Sequence, residues 1–208
     1  MTSNCTQKKE PKLRIGLFGG TFDPWTKAHQ AIVDEVLKQN LVDFVVILPT
    51  IVDYHRKGKT KWLSDTEKFT AIYSFISKSP YQDKVMMDFQ EVRMRNSGRI
   101  SKQDALEWRF INTVERCERL FVGSDLYVII GTDSLANFKT WHRWEDISSK
   151  CKIIAIQGRN GNVVKTDMEY IPVSIPEEFS YISSSDIRKK YDNVYEYLSK
   201  ELENGKKK

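Results

Sequence analysis

No stretch of the 208 residues approaches the roughly 18 consecutive apolar positions that a membrane-spanning helix needs. The opening MTSNCTQKKEPK has no apolar segment behind its lysines, so a secretory leader is not expected either. Cysteine is scarce. Cys5, Cys117 and Cys151 lie far apart and lack CxxC or Cys/His spacing, which argues against a disulfide framework and against a zinc site. These absences fit an intracellular, cytoplasmic protein. Charge of one sign is not in large excess: 33 Lys and Arg against 28 Asp and Glu leave +5, and the closing GKKK (205 to 208) holds three of the positive charges. Such a balance does not call for nucleic acid and suits an anionic small molecule. Neither GxGxxG nor GxxxxGK[ST] occurs, so hydride transfer and P-loop chemistry lose their sequence support. Repeats and low-complexity blocks are missing as well.

What is present reads as one globular domain, with hydrophobic residues at 40% and charged residues at 29%. Residues 1 to 12 form a polar, flexible lead-in, 13 to 203 the domain, and 204 to 208 a basic tail. LRIGLFGG (13 to 20) is a buried strand that turns sharply at its paired glycines. A helix follows, with Ala28, Ile32, Val33, Val36 and Leu37 on its apolar side, and then the strand DFVVILP (43 to 49). The alternation continues with a helix after Ser64 and Asp65, a strand VMMDF (85 to 89), a helix over 104 to 120, and strands LYVIIG (126 to 131) and KIIAIQG (152 to 158). A last helix is expected from about Ser185 to Leu202, with a stripe of Ile187, Tyr191, Val194, Leu198 and Leu202. Continuous apolar strands between amphipathic helices predict an α/β protein with a doubly wound parallel sheet. Ligands in such sheets bind beyond the carboxyl ends of the strands.

Gly19 and Gly20 let backbone N–H groups approach a phosphate closely, and the helix behind them aims its positive end at the same place. Thr26 and His29, three apart at that helix entry, put a hydroxyl and an imidazole in position to face one anion. A half-buried structural histidine is the plainer reading of His29 on spacing alone. No Ser/His/Asp or Cys/His arrangement for nucleophilic catalysis stands out.

GGTFDPWTKAH (19 to 29) resembles the GGTFDPxHxGH signature of the nucleotidyltransferase family that includes the nicotinate-mononucleotide adenylyltransferases. YISSSDIRKK (181 to 190) resembles that family's ISSTxIR signature, and GTDSLANFKTWHRWEDI (131 to 147) is similar to its strand-end and tryptophan segment. The resemblance spans 13 to 190 and implies a Rossmann-like nucleotidyltransferase fold in a single domain. Two positions depart from the pattern: Thr26 replaces a histidine and Ala28 a glycine. Restoring histidine at 26 is expected to leave activity within about tenfold, since both side chains can donate to phosphate.

The resemblance implies adenylyl transfer from ATP to nicotinate mononucleotide in NAD biosynthesis, with Mg2+ carried on the triphosphate. By the same likeness, Gly19, Gly20, Thr21, Phe22, Gly131, Asp133, Ser184 and Arg188 would bind ATP. His29, Thr26 and Arg188 would be catalytic, His29 as an imidazolium that stabilises charge on the phosphates. Arg56 or Lys57 in HRKGK (55 to 59) would lie over the mononucleotide, and Trp141 would stack on its pyridinium ring while Trp144 packs. Asp23 and Pro24 would shape the turn. The partners are small molecules, and assembly as a homo-oligomer is compatible with the sequence. Arg93, Arg95, Arg99 and Lys102 crowd the segment 93 to 106, and their charge favours a carboxylate on the pyridine over a carboxamide. Nicotinamide mononucleotide, another phosphate ester such as phosphopantetheine, or a silent nucleotide-binding sensor are the alternatives.

Overall fold

The structure is a computed structural model that describes residues 11–49, 62–96, 109–157 and 165–204. Six strands build one sheet: β1 (Arg14–Gly20), β2 (Phe44–Pro49), β3 (Val85–Met87), β4 (Asp125–Gly131), β5 (Cys151–Ile156) and β6 (Ile171–Val173). Their order is β3-β2-β1-β4-β5-β6, and every neighbouring pair is parallel. Around the sheet lie α1 (Lys27–Lys38), α2 (Asp65–Ile76), α3 (Gln90–Asn96), α4 (Phe110–Leu120), α5 (Thr132–Ala136), α6 (Trp144–Lys150), α7 (Glu177–Ser180), α8 (Ser184–Lys190) and α9 (Val194–Asn204).

The apolar runs are continuous because both faces of the sheet are covered, and alternate residues enter two different cores. Val45, Ile47, Tyr127, Ile129, Ile154 and Ile156 face a core completed by Val36 and Leu37 of α1, Ile72 of α2 and Tyr197 of α9. Val46, Leu48, Leu126, Val128, Ile153 and Ala155 face the other, under Val114 and Cys117 of α4 and Ile147 of α6. Helices on both faces make the sheet doubly wound, as the sequence pattern predicts. The chain winds outward from β1 to β3 and then returns to β4 beside β1. The switch in strand order therefore falls between β1 and β4, where parallel sheets open a ligand crevice.

The last helix is two helices. Tyr191 is extended (φ −121°, ψ 140°) and closes α8. A new start is then capped: the N–H of Glu196 donates to the Asn193 carboxamide at 3.0 Å, and the Glu196 carboxylate accepts from the N–H of Asp192 at 3.2 Å. Helix α4 begins at Phe110, because Arg109 is extended (φ −112°, ψ 153°), and 104 to 108 lie outside the described residues. Trp141 and Trp144 do not share a helical face. Trp141 is extended after a short 3-10 turn, Arg143 is left-handed (φ 55°), and Trp144 opens α6. Strand β6 and the short helices α3 and α7 have no counterpart in the sequence pattern. Among the described residues, no helix is long and apolar enough to cross a membrane.

Candidate active site

A cleft of about 750 Å³ opens where β1 and β4 end. Phe18 to Thr21 line it from β1, and Ile129 to Gly131 from β4. Arg109, Phe110, Ser134, Thr140, Trp141 and His142 line the rest of it. Two glycines act here for different reasons. A Cβ on Gly20 would stand 2.6 Å from the Phe22 ring, so a side chain is excluded by the turn itself. A Cβ on Gly131 would meet nothing within 4 Å, so the missing side chain leaves cleft volume free. Phe22 holds a left-handed φ of 45° with its ring buried, 5.3 Å from Phe18 and 4.8 Å from Trp25. Strained backbone of this kind persists only where packing dictates it.

His29 sits at the third position of α1 against the rings of Phe22 (5.2 Å) and Trp25 (5.3 Å). Its Nδ1 accepts from the N–H of Thr26 at 3.0 Å and lies 3.0 Å from the Thr26 hydroxyl, while Thr26 Oγ1 caps the N–H of His29. A ring nitrogen that accepts from a backbone N–H carries no proton, so the proton of the neutral ring is on Nε2. Desolvation pushes the His29 pKa down to about 4. The ring is therefore neutral at pH 7, and the imidazolium expected from sequence is replaced by a neutral N–H donor. Thr26 also departs from expectation. It is fully buried, at 0% exposure, and its hydroxyl orients His29 instead of facing an anion.

The turn ahead of α1 is tied from three directions. The buried Asp23 carboxylate accepts from the N–H groups of Trp62 (3.1 Å) and Leu63 (2.9 Å), which fixes the approach to α2. The Ser184 hydroxyl donates to the Pro24 carbonyl at 2.8 Å. Arg188 donates to the Asp23 carbonyl and, at 3.0 Å, to the Ser185 hydroxyl. Asp23 and Pro24 thus do shape the turn, and their peptide bond is cis.

Of the residues singled out in the sequence, Gly19, Gly20, Thr21, Gly131 and Trp141 line the cleft. Phe22, Thr26, His29, Ser184 and Arg188 gather instead at the turn behind Gly20. Asp133 stands exposed in the first turn of α5, between the cleft residues Gly131 and Ser134. Trp141 is half-buried, edge-on to Phe110 (5.4 Å between centroids) and tilted against Phe138 (5.1 Å). Trp144 packs on the second core, with the Lys139 ammonium over its ring at 5.4 Å. Arg56, Lys57, Arg99 and Lys102 lie outside the described residues. Arg93 is exposed on α3 and is not among the residues of the cleft wall. Arg109, Phe110, Ser134, Thr140 and His142 are cleft residues that sequence reasoning missed. His142 was within reach as the neighbour of Trp141, whereas Arg109 was hidden in a helix expected to start earlier. Among the described residues, no group of three or more His, Cys, Asp or Glu is arranged to hold a metal ion.

The model of the cytidylyltransferase-like family matches residues 17–190. A protein of Fusobacterium nucleatum, named a probable nicotinate-nucleotide adenylyltransferase, is 26% identical over 185 residues, which is 87% of this chain and 89% of that protein. A protein of the same name from Citrifermentans bemidjiense is 29% identical over 169 residues, 81% of this chain and 71% of its own. Among solved structures, Plasmodium falciparum nicotinic acid mononucleotide adenylyltransferase complexed with NaAD superposes with a TM-score of 0.68 at 18% identity, covering 90% of this chain and 89% of that one. That likeness is one of fold.

Proposed function

We propose, for a chain that belongs to the cytidylyltransferase-like family, that it joins ATP and nicotinate mononucleotide to give nicotinate adenine dinucleotide and pyrophosphate, an adenylyl transfer of NAD biosynthesis. One observation carries the reading. The Gly19–Gly20 turn, fit for phosphate, and Trp141, fit for a pyridinium face, border the same cleft at the switch in strand order. The curated relatives named for this activity, matched over most of their length, support it.

In the reaction, the 5′-phosphate of the mononucleotide attacks the α-phosphorus of ATP and pyrophosphate leaves in line. Positioning and charge stabilisation carry such a transfer, and no covalent enzyme intermediate is called for. His29 supplies a neutral Nε2–H to the phosphates, and Thr26 is a positioning residue that fixes the tautomer. Arg188 spends two donors on the Asp23 carbonyl and Ser185 and has three left for the β- and γ-phosphates. Ser184 anchors the turn from which the phosphates are held. Gly131 leaves room for the adenosine, and the Asp133 carboxylate accepts from its ribose hydroxyls. Arg56 or Lys57 completes the mononucleotide site. Mg2+ bound to the triphosphate would neutralise its charge, and because that ion keeps much of its water shell it asks for no protein cage. We place the reaction in the cytoplasm, in a chain that can assemble as a homo-oligomer.

Pyrophosphate release from ATP with each pyridine mononucleotide is the test. Turnover with the acid supports the assignment. Turnover with the amide alone reassigns the acceptor, and ATP binding without turnover points to a sensor.

A further inference from the structure

We propose that Arg109 reads the acid group of the substrate, its guanidinium pairing with the carboxylate of the pyridine ring while that ring lies on Trp141. The inference rests on the assignment of the cleft to nicotinate mononucleotide. Arg109 lines the cleft and is half-buried; its carbonyl accepts from the N–H of Asn112, while its guanidinium makes no hydrogen bond or ion pair among the described residues. Other arginines nearby are paired: Arg116 with Asp88, and Arg143 with Glu115 at 3.0 Å and with Asp146 at 2.5 Å. A cation held partly out of water without a counter-ion is costly, and a bound anion removes that cost.

Placement gives the anion its identity. Phe110 follows Arg109 directly and sets its ring edge-on to Trp141, so the backbone that carries the guanidinium is fixed at the border of the stacking face. In the proposed pose, a pyridine lying on that face points its ring substituent toward Arg109. The guanidinium is planar and offers paired N–H donors that match the two oxygens of a carboxylate. A carboxamide presents one acceptor and one NH2, so one of the two arginine donors is left facing another donor. A site built for one substituent rejects the other through the unpaired group.

Phosphate would suit the same fork, and both mononucleotides carry the same phosphate. The ratio of kcat/KM for nicotinate mononucleotide to that for nicotinamide mononucleotide separates the two roles. We expect Arg109→Gln to lower this ratio about 10- to 100-fold, mainly through the KM of the acid, with the KM for ATP within about twofold of wild type. Arg109→Lys keeps the charge but not the fork and should retain part of the preference; its ratio decides the matter if the glutamine variant fails to fold. An unchanged ratio, or an equal loss on both mononucleotides, overturns the assignment and leaves the proposed function standing. A wild-type chain that turns over neither mononucleotide overturns both.

Discussion

His29 offers a sharp test because its protonation state is set by packing. In the unfolded chain the imidazole has the ordinary pKa of 6.5, and in the native chain desolvation holds it at about 4. Between those values the unfolded state carries a proton that the native state does not. Stability conferred by the neutral ring is then fully present above pH 6.5 and is lost as pH falls toward 4. At about 1.4 kcal/mol per unit, the loss reaches about 3 kcal/mol, a large part of an ordinary domain's stability. His29→Gln removes the titration and should flatten this part of the profile. Urea unfolding followed by circular dichroism at pH 7.5, 6 and 5 checks the slope in both proteins. Catalysis follows the same logic. With a pKa near 4, the imidazolium would be present in about one free molecule in 10³ at pH 7, so in the proposed reaction the neutral ring is the working form and kcat/KM for ATP should not fall as pH rises from 5 to 7 through this group. The chain has only three histidines, His29, His55 and His142, so ring titration by NMR can be assigned. A His29 midpoint at or above 6.5, or a variant with the wild-type slope, refutes the reasoning.

Trp141→Ala should raise KM for both pyridine mononucleotides by about 10- to 100-fold, the worth of one stacked base, and leave KM for ATP nearly unchanged; an ATP-only defect would remove the stacking role. Asp23→Ala leaves the N–H groups of Trp62 and Leu63 without their acceptor and should cost about 2 to 4 kcal/mol in urea unfolding, and a cost below about 1 kcal/mol contradicts the tie. Thr26→His, expected from sequence to preserve activity, instead meets a fully buried site and should destabilise by about 1 to 3 kcal/mol, while Thr26→Ser keeps the cap and most of the turnover. A stable, active histidine variant would show that the start of α1 can yield.

The strands were legible in the sequence because burial on both faces writes itself as unbroken apolar runs such as FVVILP and DLYVIIG. The break in the last helix was harder to read. Ile187, Tyr191, Val194 and Leu198 keep helical spacing across it, and only the Asn193–Glu196 cap marks the new start. Strand β6 is three residues with a central proline, too short for any period to show. At the site, the paired glycines and Trp141 were visible because their chemistry is local. Arg109 and Phe110 were not, since they reach the cleft only through the packing of α4 beside β1 and β4. Thr26 illustrates a different limit: a hydroxyl at a helix entry can cap or can bind, and only its burial decides.

The turn at Asp23–Pro24 also orders events in time. Its ties to Ser184 and Arg188 span 160 and 165 positions, and the Tyr197 hydroxyl reaches the Trp25 carbonyl over 172. During synthesis the turn leaves the ribosome early, whereas its partners leave after β6, the last strand of the sheet, is already complete. A nascent chain can thus finish its sheet with this turn still unfastened. The turn is fastened only once residues 184 to 197 have emerged, so α8 and α9 lock a fold whose scaffold precedes them.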